Sequence, residues 1–192
     1  MDTPTPLSQT IAVIESALAE KERIIVAIDG RCAAGKTTLA RELEEHFLCN
    51  VIHMDEFFLR PEQRTAARLA QAGGNVDYER FQGDVLQPLK VGLPFAYRPF
   101  DCHTMTLQEA IPVVPTELTI VEGSYSCHPH LWSHYDLHIF LDIDPDLQRR
   151  RIAARNGTEG AVVFATRWIP MEEAYFDAFD LRRRCKLYLK AE

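Results

Sequence analysis

No run of apolar residues comes near the ~20 that a membrane-spanning helix needs, so no spanning helix is expected. Met1-Asp2-Thr3-Pro4 offers no basic stretch ahead of an apolar one, which predicts no signal peptide. The five cysteines, Cys32, Cys49, Cys102, Cys127 and Cys185, are odd in number, widely spaced and never arranged as CxxC. That pattern excludes a disulfide framework and predicts free thiols in a reducing cytoplasm. Basic charge is in deficit, with 21 Lys and Arg against 28 Asp and Glu and a formal net charge of -7. General affinity for nucleic acid or an anionic membrane needs the opposite balance, so neither is an expected partner. Internal repeats and low-complexity tracts are also missing.

What is present reads as one domain over 1–192: 46% hydrophobic and 26% charged residues suffice for a continuous core. Ile11, Ile14 and Leu18 recur at helical spacing after Thr5-Pro6, a cap and a first-turn proline, and predict an N-terminal helix within 1–22. Ile24-Ile25-Val26-Ala27-Ile28 is a short unbroken apolar run, the mark of a strand covered on both faces. Leu118 to Val121 and Leu137 to Leu141 repeat that style, with a shorter run at Val51 to Met54. Leu39, Leu43 and Phe47 mark one face of a helix between the first two strands. Strand alternating with helix predicts an α/β sheet with right-handed crossovers. Gly73-Gly74-Asn75 breaks a helical stretch, and the proline-rich segment 91–115 reads as a hairpin laid over the ligand edge. A helix over Pro170 to Phe179 and a last short strand at Lys186 to Leu189 complete the expectation.

Gly30-Arg31-Cys32-Ala33-Ala34-Gly35-Lys36-Thr37, followed by Thr38, fits G-x-x-x-x-G-K-[ST] in full, with a strand before it and a helix after it. Glycine at positions 30 and 35 lets successive N–H groups turn inward onto phosphate oxygens. The following helix adds the positive end of its dipole. Lys36 is a mobile charge for the β- and γ-phosphates, and the Thr37 hydroxyl is a hard ligand for Mg²⁺. A P-loop NTPase binding ATP with Mg²⁺ is therefore expected. A guanine reader would show N-K-x-D and a transporter ATPase an L-S-G-G-Q-like stretch; the sequence has neither.

Asp55 follows the strand at 51–54, so its carboxylate faces the crevice of an open α/β sheet. It reads as the base for an attacking hydroxyl, as a Mg²⁺ ligand through water, or as a helix cap. Glu122 ends the strand at 118–121, either as the acid beside the metal or as a solvated loop residue. Arg151 and Arg155 lie one turn apart in a basic run, suited to clamping a phosphoryl group from a lid over 145–160 or to a solvated face. Cys32 reads as a space-filling residue, or as a thiol whose pKa the helix N-terminus lowers. Arg167 is a weak candidate for a phosphate contact. Cys127, His128, His130 and His134 admit a metal site, although polar surface is the commoner outcome.

The motifs together resemble the uridine kinase and phosphoribulokinase-like branch of P-loop kinases. They are Ile28-Asp29-Gly30…Gly35-Lys36-Thr37-Thr38, Met54-Asp55-Glu56-Phe57-Phe58, Asn75-Val76-Asp77, Tyr97-Arg98-Pro99-Phe100-Asp101, Val121-Glu122-Gly123 and Arg151-Ile152-Ala153-Ala154-Arg155. The resemblance implies a three-layer α/β sandwich around a mostly parallel sheet of about five strands, with the P-loop strand central. It implies that Asp55 is the base, that Glu122 helps hold the metal, and that Asp77 binds sugar hydroxyls. Phe58, where the family usually has tyrosine, and Tyr97 with Arg98 fall on the acceptor side. The expected function is an ATP-dependent kinase acting on a hydroxyl of a small, sugar-bearing molecule, with a homo-oligomer left open. The alternative is a nucleotide-dependent switch with no small-molecule acceptor.

Overall fold

The computed structural model describes residues 4–191. The chain runs through α1 (Pro6–Leu18), β1 (Ile24–Gly30), α2 (Lys36–His46) and β2 (Cys49–His53). Three short helices follow, α3 (Ala66–Leu69), α4 (Tyr78–Phe81) and α5 (Gln87–Val91), then four short strands, β3 (Phe95–Tyr97), β4 (Phe100–Asp101), β5 (Thr106–Leu107) and β6 (Ile111–Val113). The remainder is β7 (Leu118–Glu122), β8 (Leu137–Asp142), α6 (Pro145–Val163), α7 (Ile169–Ala178), α8 (Leu181–Arg184) and β9 (Leu187–Lys190).

Five strands form one parallel sheet in the order β2-β7-β1-β8-β9, with the P-loop strand in the middle. Side chains alternate across it as the two-residue strand period requires. Val26 and Ile28 of β1 pack with Ile14, Leu39 and Leu43 beneath α1 and α2. Ala27 turns the other way, into a core with Val121, Phe140, Tyr175 and Phe176 beneath α7. This is the three-layer sandwich, and it explains why the strands read as unbroken apolar runs. Thr5 caps α1 by accepting the Ser8 N–H at 3.1 Å, with Pro6 in the first turn.

β2 ends at His53, one residue before the sequence expectation, because Met54 starts a 3₁₀ turn that buries it in the core. Segment 91–115 holds two antiparallel ladders, Phe95↔Val113 and Phe100↔Leu107. Its tip brings Cys102 and His103 over the carboxyl ends of the sheet.

Candidate active site

The carboxyl ends of β1, β2 and β7 open into a cleft of about 1160 Å³. Ala33 to Thr38 form one wall, Asp55, Glu122 and Glu172 its acidic floor, and Arg151 and Arg155 the side above α6. Gly30 ends β1 at φ +136°, and a Cβ there would meet the Leu141 carbonyl oxygen at 2.0 Å, so only glycine fits. Gly35 takes φ +98° at the start of α2, and Ala33 holds φ +61°, left-handed backbone unusual for a side-chain-bearing residue.

Lys36 is 7% exposed, and its ammonium donates to the Gly30 and Arg31 carbonyls at 2.7 and 3.0 Å. The Thr37 hydroxyl donates to Glu122 Oε1 at 3.1 Å, and His53 Nδ1 lies 2.5 Å from the same oxygen. That hydrogen bond raises the His53 pKa above its ordinary value against the opposing effect of burial. Asp55 is open to the cleft, yet the cleft walls surround it. Loss of water raises its carboxyl above the usual range, Lys36 opposes the rise, and Glu122 and Glu172 add to it. Arg151 reaches the Ala33 carbonyl at 3.3 Å, while Arg155 lies over the Phe164 ring. α6 kinks at Gly157, φ +70° and ψ -179°, between these arginines and the aromatic residues Phe164 and Trp168 that also border the cleft.

The structure corrects several expectations. The Arg31 side chain turns away from the cradle, donating to Glu173 at 2.7 Å and to the Ile143 carbonyl at 3.1 Å. The Cys32 thiol is pushed up to about 12, not down: burial leads and the Glu172 charge adds to it. Asp77 is 1% exposed and does not border the cleft. It caps α4 through the Arg80 N–H at 3.1 Å, accepts from Gln63 at 2.9 Å, and lies 3.5 Å from the Arg80 guanidinium. Tyr97 is in the core, its hydroxyl donating to Glu56 at 2.7 Å, and Arg98 ties the hairpin by donating to the Leu107 and Gln108 carbonyls. Of the acceptor-side set only Phe58 reaches the cleft, beside Arg64 and Asn75.

Asp77→Ala is accordingly expected to act on stability. It removes a cap and leaves the nearly buried Arg80 charge without its carboxylate, a loss of roughly 3 kcal/mol. A thermal melt should fall by roughly 6–12 °C for a chain of this size. An unchanged melt with weakened acceptor binding would restore the acceptor role.

No group of three or more His, Cys, Asp or Glu side chains is arranged to hold a metal ion among the described residues. His128 instead is buried and stacks on Tyr78 at 4.4 Å, with burial lowering its pKa to about 4. His130 stacks on the same ring at 4.6 Å, and His134 ends a 3₁₀ turn.

Three residues at the site escaped the sequence reading. Glu172, 5% exposed, accepts the Cys32 N–H at 3.0 Å and the Ser124 hydroxyl at 2.6 Å. Gln148 donates to the Cys32 carbonyl at 3.0 Å. Neither leaves a local signal, because a polar residue on an amphipathic helix reads as solvent-facing. Asp29 did leave one, as an acid inside an apolar strand. Fully buried, it accepts from the N–H groups of Gly30, Tyr125 and Cys127 at 2.7, 3.3 and 2.8 Å and from the Tyr175 hydroxyl at 2.8 Å.

Burial raises the Asp29 pKa from 3.8 to about 6, against these donors and the Lys36 charge. Between those values the folded chain keeps a proton that the unfolded chain has released. The group's contribution to stability is thus complete below pH 3.8 and is lost as the pH rises through 6, a change of about 3 kcal/mol. Urea unfolding from pH 4 to 7 should show that decline, and Asp29→Asn should flatten it; an equal slope in the variant would assign the decline to other groups.

No protein-family model matches the chain, and a search of curated proteins gives no match. Solved structures do match. A possible uridine kinase from Bacillus stearothermophilus shares 19% identity at a TM-score of 0.70, covering 93% of this chain and 96% of that one. A candidate fructose transport system kinase from Silicibacter gives 21% and 0.66, over 93% and 98%. A circularly permuted P-loop kinase candidate from Saccharomyces cerevisiae gives 12% and 0.67, over 98% and 100%. The architecture is that of the P-loop NTPases. Within them, the chain has the fold of the uridine kinase-like P-loop kinases.

Proposed function

We propose that the protein is an ATP-dependent kinase that transfers the γ-phosphoryl group to a hydroxyl of a small, sugar-bearing metabolite. One observation carries this reading: a single cleft gathers the loop residues Cys32 to Thr38, the Thr37–Glu122 pair, Asp55 and the two arginines of α6. The loop amides and Lys36 bind the phosphates, and Lys36 exchanges its hydrogen bonds to the Gly30 and Arg31 carbonyls for phosphate oxygens. The oxygen donors of Thr37 and Glu122 suit Mg²⁺, which when bound neutralises charge on the phosphates. Asp55 orients the acceptor hydroxyl and takes its proton. The new bond joins that oxygen to the γ-phosphorus, the bond from the γ-phosphorus to the bridging oxygen breaks, and ADP leaves with the electron pair. Arg151 and Arg155 stabilise charge on the moving group. Glu172 holds the Cys32 amide and the Ser124 hydroxyl in place beside the reacting end.

A screen of nucleosides, sugars and hydroxylated vitamins by ADP release tests the reading. ATP turnover that rises with one of them supports it. Turnover that rises only with a protein partner supports a switch instead.

A further inference from the structure

We propose that the end of the cleft built from Phe58, Arg64 and Asn75 reads an anionic group on the acceptor, a carboxylate or a phosphate ester set apart from the hydroxyl that is phosphorylated. The proposal rests on the kinase reading and adds the acceptor's chemical class to it.

Four cationic side chains of Lys and Arg border the cleft: Lys36, Arg64, Arg151 and Arg155. Lys36 belongs to the loop, and Arg151 and Arg155 come from α6. Arg64 arrives from the other side, on the connection between β2 and α4. The other arginines of that connection and of α4 are each near a carboxylate: Arg60 is 3.3 Å from Glu62, Arg68 is 2.7 Å from Glu79, and Arg80 is 3.5 Å from Asp77. Arg64 has no carboxylate within ion-pair distance among the described residues. Its Nε donates to the Leu59 carbonyl at 2.8 Å, and the guanidinium also hydrogen-bonds the Cys102 thiol, a weak acceptor that a ligand oxygen can replace.

Asn75 supplies the second, independent observation. It is 7% exposed and borders the cleft, and its side-chain amide has no hydrogen-bond partner among the described residues. The amide, held almost out of solvent, keeps its donors and acceptor for whatever enters the cleft. Both residues hang on one point of the backbone. The Leu59 N–H donates to the Asn75 carbonyl at 3.2 Å, and the Leu59 carbonyl takes Arg64. Phe58 adds an apolar side chain to the same lining.

This end of the cleft is also the Asp55 end. The Cys102 thiol at the hairpin tip is hydrogen-bonded to Arg64 and lies near enough to Asp55 to feel its charge, and all three border the cleft. A guanidinium whose terminal nitrogens meet only a thiol matches the paired oxygens of a carboxylate or phosphate, and the amide adds donors and an acceptor. Asp55, Glu122 and Glu172 repel an anionic acceptor, and on the kinase reading Lys36, Arg151 and Arg155 are committed to the phosphates of the nucleotide. Arg64 offsets that repulsion, and neutral polyols gain nothing from it.

The test uses the full chain saturated with Mg²⁺ and a non-hydrolysable ATP analogue. Calorimetric titrations compare ribose, ribonate and ribose 5-phosphate, and glycerol, glycerate and glycerol 3-phosphate. At least one charged compound should bind tenfold or more tightly than its neutral parent, and the carboxylate and phosphate arms identify which anion is read. Arg64→Gln should erase the difference, and Arg64→Lys should keep part of it, with nucleotide affinity unchanged in both. With ATP, the same substitution should raise KM for the charged acceptor tenfold or more and move kcat little. Equal binding of neutral and charged members, an undiminished preference in Arg64→Gln, or no binding by any charged compound overturns the proposal. A neutral sugar whose phosphorylation Arg64→Gln leaves intact removes this subsite and keeps the kinase reading. ADP release that no hydroxyl compound stimulates removes the kinase reading itself.

Discussion

Lys36→Ala is expected to abolish turnover while the chain still folds. The ammonium touches the loop carbonyls and can reach the β- and γ-phosphates, so its loss falls on the transition state. Removing a single such donor typically costs ~10²–10³-fold in rate, and loss of a full charge should cost at least that. The fold loses the two hydrogen bonds to the Gly30 and Arg31 carbonyls, about 1 kcal/mol each, which the sheet beneath can absorb. Steady-state kinetics beside a thermal melt decides the matter. Near-normal turnover would sink the cradle assignment, and a collapsed melt would make the residue structural.

Asp55→Asn should lower kcat by ~10²–10⁴-fold, the usual worth of a positioned base, with far less effect on ATP affinity. The substitution keeps the shape and removes both the charge and the proton acceptor. Glu122 and Glu172 help hold the carboxyl above the ordinary range, so in the wild type Lys36 and any bound cation must favour its ionised form. Single-turnover kinetics with a nucleotide titration separates the two quantities. Should ATP binding and kcat fall together, Asp55 serves the metal rather than the acceptor.

The sheet was legible because its strands are covered on both faces. Ile24 to Ile28 and Leu118 to Val121 leave no polar interruption, and only a parallel sheet between helices explains that. The cradle was legible because its chemistry is local, with every residue from Gly30 to Thr38 in one turn. Thr37 and Glu122 could be paired from the sequence since Thr37 opens the helix that follows β1 and Glu122 ends β7, the strand beside β1. The acceptor side resisted for the opposite reason. Asn75 and Asp77 are two residues apart on irregular backbone, and an isolated bridge between Phe58 and Val76 decides which of them meets the cleft. No periodicity encodes that bridge, so the sequence does not show that Asn75 borders the cleft while Asp77 turns inward. Glu172 was hidden by distance along the chain.

The cradle motif emerges early in synthesis, but its braces do not. Gln148, Glu172 and Glu173 lie 116, 140 and 142 residues beyond the loop residues they grip. Contacts of such separation form late, since a long loop must close before they repay its entropy. A nascent or truncated chain that ends just before α7 therefore carries the whole phosphate motif and Gln148 without the two carboxylates that brace the loop. The sheet also lacks its edge strand β9 at that stage. On the kinase reading, the cradle takes its shape only once α7 has docked, so nucleotide binding would report on that step of folding.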